Sequence, residues 1–184
     1  VGNTFDWVES VSIELTTRML ATLFDFPSEE RRKLTRWSDV ATAIPGMQII
    51  DTEEQRQQEL LGCLEYLTGL WNERVNRAPG NDLVSMLAHG EATRNMPPLE
   101  YLGNLVLLIV GGNDTTRSTM TASALALHQH PDQFKKLVAN PQMIDSMVAE
   151  TIRWQTPLAH MRRISKVDTQ LGGQHIKAGD KVVM

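Results

Sequence analysis

Near the middle of the chain, Gly111-Gly112-Asn113-Asp114-Thr115-Thr116 sets a carboxyl and hydroxyls beside two residues without side chains. The run lies inside a helical pattern that opens at Pro97 or Pro98 and meets no further proline until Pro131. Each glycine costs about 1 kcal/mol relative to alanine in a helix interior, and Asn, Asp and Thr are weak helix formers too. Stability alone does not select such a run, so another requirement acts there. Leu107, Val110, Gly111, Asp114 and Thr115 follow the i, i+3, i+4, i+7, i+8 pattern and share one face. Along that face come apolar side chains, then bare backbone, then a carboxyl beside a hydroxyl. Missing side chains let a flat ligand approach the backbone closely. The Thr115 hydroxyl can donate to the Gly111 carbonyl and loosen the helix, with a kink or groove as the result. On spacing alone a second reading stands beside this one: glycines for close helix packing, with Asp and Thr turned to solvent.

Other residues carry weaker signals. Glu150 and Arg153 stand three apart on a predicted helix, a spacing that usually makes a surface ion pair. Cys63, the single cysteine, falls on a helix and reads as a packed small residue. His128 and His130 are two apart and do not share a helical face, and the five histidines show no metal spacing.

The elements that must hold these residues follow from periodicity and punctuation. Asp6 to Phe26 reads as a helix capped by Asp6 and closed by Pro27, with Val8, Val11, Leu15, Met19 and Leu23 as its apolar stripe. A second helix runs from Ser28 to about Ala43, before a Pro45-Gly46 turn. A third, Asp51 to Asn76, carries Leu60, Leu64, Leu67 and Trp71. Asp82 to His89 is a short helix capped by Asp82 or Asn81, and the long proline-opened helix follows. Pro131 to Ala139 and Gln142 to Gln155 are two more. Beyond Pro157, segments around 159–165, 169–171 and 175–184 read as short strands with Gly172-Gly173 and Ala178-Gly179-Asp180 turns.

The composition bounds the class. With 184 residues, 41% of them hydrophobic and 22% charged, the chain suits a globular protein rather than a disordered one. A net charge of −4 gives no reason to expect nucleic acid as a partner. The longest apolar run, Leu105 to Val110, is far short of the roughly 20 residues of a membrane helix. No transmembrane segment is therefore predicted, and the lone cysteine points to a reducing, cytoplasmic setting. Val1 at one end and a strand stopping at Met184 predict that residues 1–184 are one incomplete domain.

Gly111-Gly112-Asn113-Asp114-Thr115-Thr116 resembles the oxygen-activation motif of the cytochrome P-450 (haem-thiolate monooxygenase) superfamily. Glu150-Thr151-Ile152-Arg153 resembles that family's Glu-x-x-Arg motif at the expected separation, with His130-Pro131-Asp132-Gln133 between them. Trp37-Ser38-Asp39 upstream fits, as do Arg163-Ile164-Ser165 and Leu171 to Asp180 downstream. The likeness spans essentially the whole chain, from about the family's helix E through helix K and the following short strands. It implies a mainly α fold with a minor β part, lacking the family's N-terminal helices and its C-terminal haem-cysteine loop. Gly111 to Arg117 and Arg153 to Arg163 look most like the bacterial alkane and fatty-acid ω-hydroxylase branch.

The resemblance also implies roles. The activity is insertion of one atom of O2 into the C–H bond of an apolar substrate, with haem b as cofactor. Electrons come from NAD(P)H through ferredoxin and ferredoxin reductase. Asp114 and Thr115 deliver protons, with Asp114 feeding the relay from solvent by moving between partners. Gly111 and Gly112 lie over the porphyrin. Arg163 pairs with a haem propionate, an arginine fork matching a carboxylate, with Arg162 second because it points the other way on a strand. Glu150 and Arg153 form a structural pair, and Leu107, Val110, Leu158, Ala159 and Met161 face substrate. Cys63 lacks the family's ligand-loop pattern, so no metal ligand is assigned in this chain, which is expected to be inactive alone. Two rivals remain: a steroid or terpene hydroxylase of the same superfamily, and a non-catalytic helical binding module.

Overall fold

The structure, a computed structural model, describes residues 4–47 and 49–184. Helices dominate. A π-type segment, Val8–Ile13, runs straight into α1, Glu14–Phe24. A single 3-10 turn, Ser28–Glu30, precedes α2, Arg32–Thr42. Then come α3, Glu53–Val75; α4, Leu83–His89; α5, Pro98–Gln129; α6, Pro131–Ala139; and α7, Ile144–Gln155. Four three-residue strands close the chain: β1, Arg162–Ile164; β2, Thr169–Leu171; β3, Gln174–Ile176; and β4, Lys181–Val183.

Side chains start the helices where the sequence places them. The Thr52 hydroxyl accepts from the Gln55 backbone N–H at the start of α3, and Gln55 accepts in turn from the Asp51 N–H. That reciprocal arrangement satisfies donors which a helix start otherwise leaves bare. Asp82 caps α4 by accepting from Ser85 N–H at 2.8 Å. Pro98 opens α5 in its first turn, where a missing N–H costs nothing. α1 ends at Asp25, whose φ of 47° reverses the chain. The buried Arg74 guanidinium holds that reversal by donating to the Asp25 carbonyl and carboxylate.

One core joins α1 to α4 with the first half of α5. Phe24, Leu34, Leu67, Val84, Leu105 and Ile109 are fully buried in it. α5 presents Tyr101, Leu105, Ile109 and Asn113 inward, an i, i+4 stripe down one side. The strands form two antiparallel pairs, β1 with β4 and β2 with β3. The Ala178-Gly179-Asp180 turn read from the sequence is present, with Gly179 at φ 90°, and it divides residues 175–184 between the two pairs as β3 and β4.

The first helix departs from expectation in two ways. Its opening turns are π-type, and its predicted apolar stripe faces outward: Val8, Leu15, Met19 and Leu23 are exposed. The buried side is Ser12, Thr16, Thr17, Leu20, Ala21 and Phe24. Hydroxyls can occupy an interior face when they satisfy themselves on their own helix, and here Thr16 donates to Ser12 O and Thr17 to Ile13 O.

Candidate active site on the long helix

α5 is continuous through all six weak helix formers. The Thr115 hydroxyl donates to the Gly111 carbonyl at 2.8 Å, as the spacing predicted. The same bond repeats one and two turns on, Thr119 to the Thr115 carbonyl at 2.8 Å and Ser123 to that of Thr119 at 2.9 Å. These bonds hold three hydroxyls in a row along the helix without breaking it.

The two glycines have different surroundings. A Cβ at Gly111 would meet nothing within 4 Å, so that backbone lies open on the face shared with Leu107, Val110 and Thr115. A Cβ at Gly112 would lie 2.8 Å from Leu20 Cδ2. The backbone at Gly111 is thus left open, whereas the space at Gly112 is taken by α1, as in the close-packing alternative. A paired test follows. Gly111→Ala is expected to gain up to about 1 kcal/mol of fold stability from helix propensity. Gly112→Val is expected to lose about 1–3 kcal/mol through overpacking against Leu20. Denaturant titration of the two variants checks the contrast, and equal shifts would refute it.

Asp114 is engaged in an ion pair. Arg117 donates to its carboxylate through Nε at 3.1 Å and Nη2 at 2.7 Å, and Nη2 also reaches Asp39 on α2 at 2.9 Å. Burial alone would lower the Arg117 pKa; Asp39 and Asp114 more than offset that and raise it. One guanidinium thus serves two carboxylates and ties α2 to α5. Arg117 and Asp39 were not singled out as site residues from sequence. The signal was present as an acid and an arginine three apart on a helix, but the cross-helix partner required the fold.

The remaining candidates lie around this helix. Leu107 is 69% exposed, Val110 is half-buried, and Leu158, Ala159 and Met161 lie exposed between α7 and β1. Glu150 and Arg153 make a two-bond ion pair, both bonds 2.6 Å, on the surface of α7. That pairing lowers the Glu150 pKa, chiefly through the hydrogen bond from Arg153. Arg163 pairs with Val182 across the β1–β4 ladder and is exposed; Arg162 pairs with Val183. Cys63 is buried in the core, where desolvation pushes its thiol up to about 12, so it is an inert packing residue. Among the described residues no group of three or more His, Cys, Asp or Glu could hold a metal ion. No described helix is long and apolar enough to cross a membrane.

Two concavities flank α5. A groove of about 580 Å³ between α5, α6 and α7 is lined by Ala122, Ala126, Leu137, Met147, Glu150 and Trp154, among others. A second, about 410 Å³, is lined by Asp39, Arg117 and apolar residues of the α2–α3 connection. Neither is lined by Gly111 or Thr115, whose face is open. Neither concavity brings together a hydroxyl, a carboxyl and a glycine, as residues 111–115 do.

Known proteins share this fold. CYP153D17 from Sphingomonas sp. superposes with a TM-score of 0.84 at 55% identity, over 99% of this chain and 46% of that one. A cytochrome P450-153 from Novosphingobium aromaticivorans gives 0.83 at 48% identity, over 100% of this chain and 44% of that one. Linalool 8-monooxygenase of Pseudomonas putida is 31% identical over 100% of this chain and 45% of its own length. No protein-family model matches the chain. A mainly helical chain with short antiparallel strand pairs, matched end to end in this way, is a partial cytochrome P450 fold. The chain belongs to the cytochrome P450 superfamily, and two solved P450-153 structures share about half its residues. It spans about 45% of the length of the relatives it matches.

Proposed function

We propose that the complete protein containing this chain is a haem-dependent monooxygenase acting on an apolar substrate, by terminal hydroxylation of medium-chain alkanes or fatty acids. The observation that supports this most directly is the Thr115 hydroxyl donating to the carbonyl of Gly111, whose own Cβ position is empty space. A flat cofactor would meet no side chain at position 111 to hold it off the backbone. When bound, haem activates O2 with two electrons from NAD(P)H, passed through a ferredoxin and its reductase; one oxygen atom enters the C–H bond and the other leaves as water with two protons.

The protein supplies position, protons and an apolar setting. Thr115 accepts through its free lone pairs and gives up its proton only after leaving the Gly111 carbonyl. Asp114 sits one residue away, and release from Arg117 is what lets it pass protons inward. Arg163 offers a two-pronged donor to a cofactor carboxylate. Glu150 and Arg153 have a structural role and Leu107, Val110, Leu158, Ala159 and Met161 face the substrate, apolar side chains matching a hydrocarbon.

The alkane assignment rests on the likeness of Gly111 to Arg117 and of Arg153 to Arg163 to that branch. A terpene or steroid hydroxylase is the second reading, favoured by the 31% identity to a linalool monooxygenase. The test is turnover by the complete protein with ferredoxin and reductase, comparing octane, linalool and a sterol. Terminal octanol is the expected product; linalool or sterol turnover without octanol would transfer the assignment to the second reading.

A further inference from the structure

We propose that Asn113 is a positioning residue: gripped by Thr16 from behind, it fixes the rotation of α5 and so directs Gly111, Asp114 and Thr115 outward. The proposal deepens the monooxygenase reading and rests on it for its catalytic consequence.

Asn113 is fully buried and stands inside the six-residue motif, yet it faces away from the candidate site. At 100° per residue, Thr115 lies about 200° round the helix from it, nearly opposite. Its amide meets the Thr16 hydroxyl of α1 at 3.2 Å. Two further contacts extend this seam: Ser12 Oγ lies 2.9 Å from Thr121 Oγ1, and Leu20 fills the space beside Gly112. Ser12, Thr16 and Leu20 are spaced four apart on one face, and their partners on α5, Gly112, Asn113 and Thr121, bracket Asp114 and Thr115. The grip is applied where the outward face must be aimed.

A polar grip is a costly way to join two buried helices, since leucines would pack there with no polar group to satisfy. Thr16 has one hydroxyl proton and three acceptors in reach, the Ser12 and Ile13 carbonyls and the Asn113 amide oxygen. The Ser12 carbonyl, at 2.9 Å, is the shortest of these. Turning the Asn113 amide by half a turn makes its nitrogen the donor to Thr16. In either orientation one amide atom is buried without a protein partner, Nδ2 in the arrangement found. What this arrangement adds over leucine is direction: apolar packing tolerates a few degrees of roll, whereas a buried amide bonded to a hydroxyl specifies one register, the best-attested use of a buried asparagine between helices.

The experiment uses the complete protein with Asn113→Leu, Thr16→Val and both together. Amide hydrogen exchange is read by mass spectrometry for peptides across 107–119. Loss of one buried hydrogen bond is expected to speed exchange there about tenfold, while peptides across 60–70 stay as in the parent. The double variant should exchange no faster than Asn113→Leu alone, since the two changes remove one contact. In turnover, electron consumption and the substrate KM should hold while product per electron falls several-fold, a split that general loosening of the fold does not produce. Parent-like exchange across 107–119, or unchanged product per electron, overturns the proposal. A complete protein that turns over no apolar substrate would instead remove the monooxygenase reading, and the exchange result would still decide whether Asn113 sets the register.

Discussion

On the proposed monooxygenase function, Thr115→Ala in the complete protein should keep drawing electrons from NAD(P)H but deliver them mainly to hydrogen peroxide rather than to hydroxylated product. The side chain lost is the hydroxyl beside Gly111, and proton transfer by a positioned group contributes about 10²–10⁴-fold to a rate. A fall of at least about tenfold in product per electron pair is therefore expected. Folding does not confound the outcome. The change removes one hydrogen bond to the Gly111 carbonyl, worth about 1 kcal/mol, and adds an alanine, the best helix former, so the two nearly cancel. Thr115→Ser, which keeps the hydroxyl, should restore most of the product. The measurement is the ratio of peroxide to product against NAD(P)H consumed. Full coupling in Thr115→Ala would remove this residue from the mechanism.

The second large effect is on stability. Ile109→Ala should lower the unfolding free energy by about 2–5 kcal/mol, the range for emptying a packed aliphatic site. Ile109 is fully buried among α5's inward residues, next to Leu105 and one turn before Asn113, so the cavity would lie under the mounting of the whole site. Leu107→Ala, two residues away on the 69%-exposed side, should shift stability by less than about 1 kcal/mol. It should instead change which apolar substrate is accepted. Denaturant midpoints of the two variants, with equal slopes, make the comparison. Similar losses at both positions would mean that α5 is not held from one side.

Much of this architecture was legible from punctuation. Pro98 and Pro131 bounded the 32-residue α5, and Asp82 marked the start of α4 through its own side chain. The Thr115–Gly111 bond followed from the i, i−4 reach of a threonine. What escaped was orientation on α1. Apolar periodicity picked Leu15, Met19 and Leu23, but the interior took Ser12, Thr16 and Thr17, because a hydroxyl bonded to its own helix can be buried at little cost. The neighbour of Gly112 escaped for a related reason: whether a bare position is open or abuts another helix depends on what packs there, and Leu20 is 92 residues away in sequence. Arg117 was quoted as part of a motif, but its second carboxylate, Asp39, lies on another helix. Side-chain partners across helices are set by packing, which local pattern does not encode.

The row of hydroxyls at 115, 119 and 123 has an electrical consequence. Each O–H is turned back toward the amino end of the helix, onto a carbonyl, so the oxygens show solvent only their electron pairs. The stripe welcomes hydrogen-bond donors and disfavours anions. A molecule with an acidic head and an oily tail would therefore lie against this helix with the head turned away, leaving the tail as the end that can reach Thr115.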